Sequence, residues 1–486
     1  MSALLTRRLF LRLLGVVYLS AFASLEWQVE GLLGPDGILP ASAYLTRAVE
    51  VFGDDAKMRI PTLFWLDPSA EMLRLVCRAG IVLSLLLIAG IWPVVVLPAL
   101  WWLYLSLVSV GQIFLAYQWD ALLLETGFLA IFWAPSAWRL DAPSVREPSP
   151  IVLWLLRWLV FRLMFFSGWV KLASGDPTWW SLDALKFHYE TQPLPAWTSW
   201  YAHQLPAWIQ QASCAVMFVI ELALPWLIFL GRVPRLVAFV GFVLLQLLIA
   251  ATGNYGFFNL LSAVLCVPLL DDGWLERVWP RRLGSRGPRP AERGVKRALD
   301  VAVAALVLAL SVPLSLGQAF GIRATSLPGV ERLFHALAPW HLVSGYGLFA
   351  VMTTNRPEVV LEGTVDGVEW RPYVFRWKPG PLDRAPTFTA PNMPRLDWQL
   401  WFDALYLERM LATGMRSGRV VTPALLAKLR EGSPAVLALL ADDPFDGEKP
   451  RAVRWRLWDY EFTDAAERQA SGDWWRRSLL YEEPPR

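Results

Sequence analysis

Nine apolar stretches, at roughly 8–25, 72–90, 94–116, 119–136, 150–172, 207–230, 235–252, 256–271 and 298–318, dominate the first two thirds of this chain. Most hold the near-20 apolar residues needed to cross about 30 Å of hydrocarbon, and the fourth and eighth are short for it. Composition leaves few alternatives. Apolar residues make up 55% of the chain and charged residues 18%, against roughly 25% charged in soluble domains. A soluble globule of this length could not hide so much apolar surface. The 28 tryptophans suit a membrane–water boundary, where amphipathic rings settle. The fold class is a polytopic α-helical membrane bundle of about nine spans over 1–318, followed by a soluble α+β domain at 319–486.

Charge orients the bundle. With a cytoplasmic N-terminus, the links 139–147 and 232–235 are cytoplasmic and carry Arg139, Arg146, Arg232 and Arg235. The link 272–297 shares that side and is the most basic stretch of the chain, as the positive-inside rule requires. Its core, 277–296, is rich in Arg, Pro and Gly and reads as a flexible cytoplasmic connector. Loops 24–70 and 173–206 and the C-terminal domain then lie on the exported side, although Arg47, Lys57 and Arg59 in the first loop run against the trend. The first apolar stretch follows Arg7, Arg8 and Arg12 and ends Ala21-Phe22-Ala23, a pattern a cleavable secretory signal also shows. Basic and acidic residues nearly balance, 45 to 42, so no nucleic-acid partner is indicated. Cys77, Cys214 and Cys266 all fall in apolar runs and cannot form a disulfide framework.

In the tail, Pro328–His341 is amphipathic, and Val359–Gly363 with Val368–Arg376 reads as a hairpin turning at Asp366-Gly367. Arg454–Phe462 alternates as a further strand. Helices are expected near 397–415, 422–430 and 433–441, with Asp397 as N-cap of the first. Trp398, Trp401, Phe402 and Leu405 recur at i, i+3, i+4 and i+7, the spacing of one buried helix face.

Candidate site residues concentrate after the fifth stretch. Gly168 permits close helix approach, Ser174–Pro177 ends the helix, and Trp179-Trp180 falls at headgroup level. Trp179, Trp180 and Trp200 are the aromatic anchors a client-binding surface would use. Lys171 at a helix end reads first as a snorkelling anchor to membrane lipid. The alternative is a membrane enzyme acting on a lipid-soluble substrate, with Lys171 as base and Asp176, His188 and His203 nearby. Within the spans, Asp120, Glu125, Arg157, Arg162 and Glu221 are buried charges of the kind that pair or line a cavity. By helix rise, Arg162 lies about 16 Å in from one face and Glu221 about 22 Å in from the other, so an Arg162–Glu221 pair is expected. The four histidines lack zinc-ligand spacing, so no metal is expected. No G-x-S-x-G elbow, P-loop or H-E-x-x-H run occurs, and nothing calls for a cofactor.

Six stretches together resemble one family. They are WDALLLETGFLAIFWAP (Trp119–Pro135), FSGWVKLASGDPTWWSLDALKFHYETQPLPAW (Phe166–Trp197), TGNYGFFNLL (Thr252–Leu261), YGLFAVMTTNRPEVVLEGTVDGVEW (Tyr346–Trp370), RWKPG (Arg376–Gly380) and PRLDWQLWFDAL (Pro394–Leu405). In order, from about 119 to 405, they resemble the lipase maturation factor family. One departure is visible: a His-Gln pair precedes the PRLDW run in that family, and Asn392-Met393 stand there in this chain. A role resting on that imidazole does not carry over. The resemblance implies a multi-pass membrane chaperone or assembly factor, without a catalytic role, that helps exported lipase-like proteins mature. It implies an endoplasmic reticulum membrane for eukaryotic members. The compact loops and Arg/Leu/Ala/Trp-rich composition suit a bacterial member in an inner membrane. Gly168-x-x-Lys171, followed by tryptophans, also bears a fainter similarity to the membrane part of vitamin K-dependent carboxylases, in which a lysine serves as base.

Overall fold

The computed structural model describes residues 2–142, 145–278, 294–321, 329–414 and 420–484. Each apolar stretch forms a helix: α1 (Leu4–Glu26), α2 (Ala70–Ala89), α3 (Pro93–Val110), α4 (Gln118–Trp133), α5 (Pro150–Ala173), then, after three short loop helices, α9 (Ala207–Leu227), α10 (Arg232–Thr252), α11 (Phe258–Leu269) and α12 (Val295–Phe320). Seven of these are long and apolar enough to cross a membrane, and α4, at 16 residues, and α11 are shorter. Their limits are set locally. Ser69 caps α2 by accepting from the Met72 amide, and Gly90 ends it in the left-handed conformation. Ser149 and Pro150 start α5 in the same manner. Pro225 in α9 has no N–H to give Glu221, four residues back, and the helix widens into a π turn at Val219–Ala223.

The first helix belongs to the core. Phe10, Leu11, Leu14, Val17 and Tyr18 of α1 are fully buried, packed mainly against α2. The outer helices expose Val82, Leu85, Val237, Leu244, Leu247 and Val301, an apolar belt that only lipid can cover.

The two ends of the bundle differ. At one, Asp272 accepts from Ser2, Leu4 and Thr6, Arg7 donates to the Arg146 carbonyl, Arg12 pairs with Asp141 and Arg232 with Asp271. The links expected to be basic are gathered there, although residues 279–293 of the connector lie outside the described residues. The loop after α1, the loop after α5 and the tail meet at the opposite end.

The tail holds a four-stranded antiparallel sheet, ordered β2-β1-β5-β6, from β1 (Pro357–Thr364), β2 (Arg371–Pro372), β5 (Ala452–Phe462) and β6 (Trp475–Glu482). A two-stranded ladder joins β3 (Val374–Phe375) to β4 (Leu440–Asp442). The expected hairpin exists but pairs only at Glu362↔Pro372 and Gly363↔Arg371. The main partner of β1 is β5, in register from Pro357↔Asp459 to Thr364↔Ala452. Three corrections apply. The helix α14 (Arg395–Thr413) starts before Asp397, whose carboxylate instead accepts the Trp377 and Lys378 amides. The helix expected at 433–441 is one turn, Pro434–Leu437, running into β4. The edge strand β6, rich in exposed charge, went unforeseen. Before the sheet lies the amphipathic α13 (Val330–Leu337), and after α14 comes α15 (Thr422–Glu431).

Candidate functional site

Three short helices build the loop after α5: α6 (Pro177–Trp180), α7 (Ala184–Thr191) and α8 (Trp197–His203). Asp176 caps α6, accepting from the Thr178 amide at 2.8 Å, and its other oxygen takes the Met352 amide of the tail at 2.7 Å. From the tail, Arg356 reaches into the loop fully buried. It donates to the carbonyls of Glu190 (2.7 Å), Gln192 and Pro193 (2.9 Å), while Glu358 balances its charge at 2.7 Å. Trp200 donates to Thr463 and Trp401 to Thr191, each at 2.8 Å. Asn254, between α10 and α11, donates to Thr387 and accepts from Thr389 and from the Ala390 amide. Beneath this seam Arg395 of α14 pairs with Asp120 of α4, joined by Tyr104. Loop, helices and tail are thereby one packed body.

The intramembrane charges pair differently from the expectation. Arg162 bonds Glu125 of α4, whose second oxygen accepts from Tyr346 (2.6 Å) and the Ser344 amide (3.0 Å). Glu221 takes Lys171 instead, at 2.8 Å. The expected Arg162–Glu221 pair is therefore corrected: Glu221 packs against Gly168, six residues or about 9 Å along α5 from Arg162, and the faces differ as well. Depth along a helix does not fix azimuth. At 3.6 residues per turn, nine residues amount to about two and a half turns, so Arg162 and Lys171 leave α5 on opposite faces. Lys171 does not snorkel either. It is buried, donates also to the Ser167 carbonyl at 2.8 Å, and sits 5.4 Å from the Trp179 ring centre. Gly168 makes this possible, since a Cβ there would come within 2.9 Å of the Glu221 side chain.

Below α7 lies a cavity of about 350 Å³ between α5, α9, α10 and α11. Its walls are largely apolar (Met164, Met217, Leu245, Phe349), with Lys171, Glu221, His188, Asn259 and Ser262 among them. Tyr255 links His188, 3.1 Å away, to Gln192, 3.0 Å away. Burial, helped by the nearby Lys171 charge, pushes the His188 imidazole down to about 4, so it is neutral near pH 7.

This chain joins a membrane bundle to an α+β tail through contacts between the stretches Trp119–Pro135, Phe166–Trp197, Thr252–Leu261 and Pro394–Leu405. The family model of the lipase maturation factor transmembrane domain matches residues 5–277, and that of the lipase maturation factor C-terminal domain matches 342–485. The chain belongs to the lipase maturation factor family. Lipase maturation factor 2 of Gallus gallus is 36% identical over 98% of this chain and 80% of its own length. The Homo sapiens protein of that name is 36% identical over 98% and 82%, and lipase maturation factor 1 of Homo sapiens is 35% identical over 98% and 86%. No solved structure matches the chain.

In this lipase maturation factor fold the four residues of the enzymatic reading are dispersed. Lys171 and His188 line the cavity, but Asp176 and His203 are not among its lining residues. Asp176 is occupied as a cap, and His203 stacks edge-on to Phe462, 3.9 Å from Glu190. Among the described residues no group of His, Cys, Asp and Glu could hold a metal. Of the three tryptophans expected to anchor a client only Trp180 is exposed, at 66%. Trp179 and Trp200 are buried at 2% and 5%, a correction to their reading as surface anchors. Both indoles bond tail carbonyls, Phe349 and Thr463. An accessible aromatic group is Trp197, Tyr201 and Phe388, in edge-on contact where loop meets tail. The i, i+4 spacing of Trp197 and Tyr201 is visible in the sequence, but nothing there brings Phe388 beside them. Met393, in the place of the family's His-Gln pair, is buried and pins the tail to α1 through its backbone, bonded to Ser24 and Gln28.

Proposed function

We propose that the chain is a membrane-embedded maturation factor for exported lipase-like proteins, with its loop and tail together forming the client-binding surface. Family membership over both halves supports the role. The observation that carries the surface is the seam, in which Arg356, Trp200 and Trp401 lock loop to tail beside the exposed Trp197, Tyr201 and Phe388. A preorganised aromatic patch suits partner binding, because aromatic anchors dominate interface energetics. Orientation follows from charge: the arginine-bearing links share one end, so the tail end is exported. The exported compartment is the reticulum lumen in a eukaryotic cell and the periplasm in a bacterial one. Crosslinking of exported proteins to the full chain, followed by identification of what is captured, tests the reading. A lipase-like client captured through Trp197 or Phe388 supports it, and capture unchanged by substituting both overturns the surface.

The enzymatic reading has the cavity in its favour and the Glu221 pair against it. The Lys171 ammonium is committed to Glu221, to the Ser167 carbonyl and to the face of Trp179, which leaves it poorly placed to take a proton from a substrate.

A further inference from the structure

The cavity beneath α7 has features that client binding does not use. Its polar wall is unfinished. Asn259 Oδ1 and Ser262 Oγ are buried, line the cavity and have no hydrogen-bond partner. Buried polar atoms in folded proteins are rarely left so, because each costs about 1–3 kcal/mol unpaired. Asn259 is held in place by its amide, which donates to Gln246 at 2.9 Å. Glu221 also lines the space, with one oxygen committed to Lys171.

The opening faces sideways. Helix α10 packs on the π turn of α9 and on its Leu224–Leu227 end, but hardly on Ala207–Phe218, so the two helices part toward the loop. Leu205 and Leu248 line the cavity and are 41% and 55% exposed on the outer, apolar surface. A molecule would enter here from the bilayer rather than from water.

We propose that the cavity binds an uncharged lipid with a hydroxyl-bearing head, of the monoacylglycerol or long-chain alcohol class, admitted between α9 and α10. The head must bring a donor, since Asn259 Oδ1 can only accept and Ser262 Oγ can do either. A carboxylate or phosphate head would set its oxygens against Asn259 Oδ1 and the Glu221 carboxylate. Lys171 offers no compensation, because its ammonium is already spent on Glu221, on the Ser167 carbonyl and on the face of Trp179. Size agrees: 350 Å³ holds about a dozen water-sized groups, enough for a glycerol head and the first carbons of one chain. The remaining chain would lie along the lipid-facing side of α10. This site stands whether or not the chain matures lipases.

The test uses the full chain in phosphatidylcholine nanodiscs with a monoolein analogue carrying a photoactivatable diazirine on its acyl chain. Saturable labelling is expected in peptides around Leu205–Met217 and Leu245–Thr252. Unlabelled monoolein should compete, and oleic acid and oleoyl-lysophosphatidic acid should compete about tenfold more weakly, the worth of one hydrogen bond to a buried group. Asn259→Leu with Ser262→Ala should cut labelling by a similar factor. Leu248→Trp, on the lipid-facing mouth and remote from the folded core, should do so by obstruction. Labelling spread over all lipid-facing helices in proportion to probe, equal competition by oleic acid, or an unaffected Leu248→Trp protein would each overturn the proposal.

Discussion

Arg395 and Asp120 form a doubly hydrogen-bonded ion pair, at 2.6 and 2.8 Å, between the first turn of the tail helix α14 and the first turn of α4. Both side chains are sealed from solvent. Arg395 also donates to the Phe114 carbonyl, and its backbone amide donates to Gln28 of the loop after α1. The pair is the buried ionic clamp among the contacts that join bundle and tail.

Removing one member leaves the other buried and unpaired, which costs about 3–5 kcal/mol. Arg395→Met should therefore lower the thermal midpoint of the detergent-purified protein and make the tail sensitive to protease. Arg395→Met with Asp120→Leu removes both charges and should recover part of that loss. A single variant as stable as the parent protein would show that the clamp contributes nothing.

A pH dependence is expected from Glu190. Burial pushes its carboxyl from 4.5 up to about 7, although the Phe462 amide bonded to it pulls the other way. A raised carboxyl means the folded state holds the proton when the unfolded state has lost it. Stability from this group is complete below about 4.5 and falls as pH rises toward 7, by on the order of 3 kcal/mol. Glu190→Gln keeps the acceptor for Phe462 and cannot ionise. Its thermal midpoint should be less dependent on pH across this window and higher than the parent's at pH 8. A parent protein whose midpoint climbs steadily from pH 5 to 8 relative to Glu190→Gln would contradict the sign.

Lys171 acts through its charge, paired with Glu221. Lys171→Arg keeps that charge but cannot serve as a base near neutral pH. Client maturation should survive it once the protein is shown to be folded and inserted. Lys171→Met should lose protein, because it strands the Glu221 carboxylate, and Lys171→Met with Glu221→Leu should regain much of it. Normal abundance of Lys171→Arg with complete loss of activity would favour catalysis over pairing.

The tryptophans should divide by burial. Trp179→Ala and Trp200→Ala each remove a buried ring and a hydrogen bond, and should cost about 3–5 kcal/mol and much of the protein. Trp197→Ala and Phe388→Ala are on the surface and should leave abundance unchanged while weakening client capture about tenfold. Immunoblot and quantitative crosslinking separate the two classes. Equal capture by all four variants at equal abundance would remove the surface from consideration.

The bundle was legible because apolar length is a one-dimensional signal: all nine stretches became helices, including the two short ones. The stripe Trp398, Trp401, Phe402 and Leu405 likewise announced a helix, but only the two tryptophans are buried: Phe402 is 40% exposed and Leu405 half-buried. What stayed hidden was angular or long-range. Arg162 and Glu221 meet different levels of the bundle, Arg162 against Glu125 and Glu221 against Gly168 and Lys171. The exposed cluster needs Phe388 beside Trp197, and β1 finds β5 across nearly a hundred residues. Trp179 and Trp200 look like interfacial anchors in sequence because nothing there shows the tail that covers them. Asp397 had the residue type and place of a cap, and the Trp377 and Lys378 amides claimed it first.

The central claim is that this chain brings exported lipases to their active form through its exported face. The most direct measurement is the specific activity of a secreted lipase, activity per unit of lipase protein, in a host lacking its own lipase maturation factor. That host is complemented with the intact chain or with Trp197→Ala plus Phe388→Ala at matched abundance. The account predicts that the intact chain restores specific activity and that the double variant restores little. Specific activity that is the same with the intact chain as with no factor at all would contradict it.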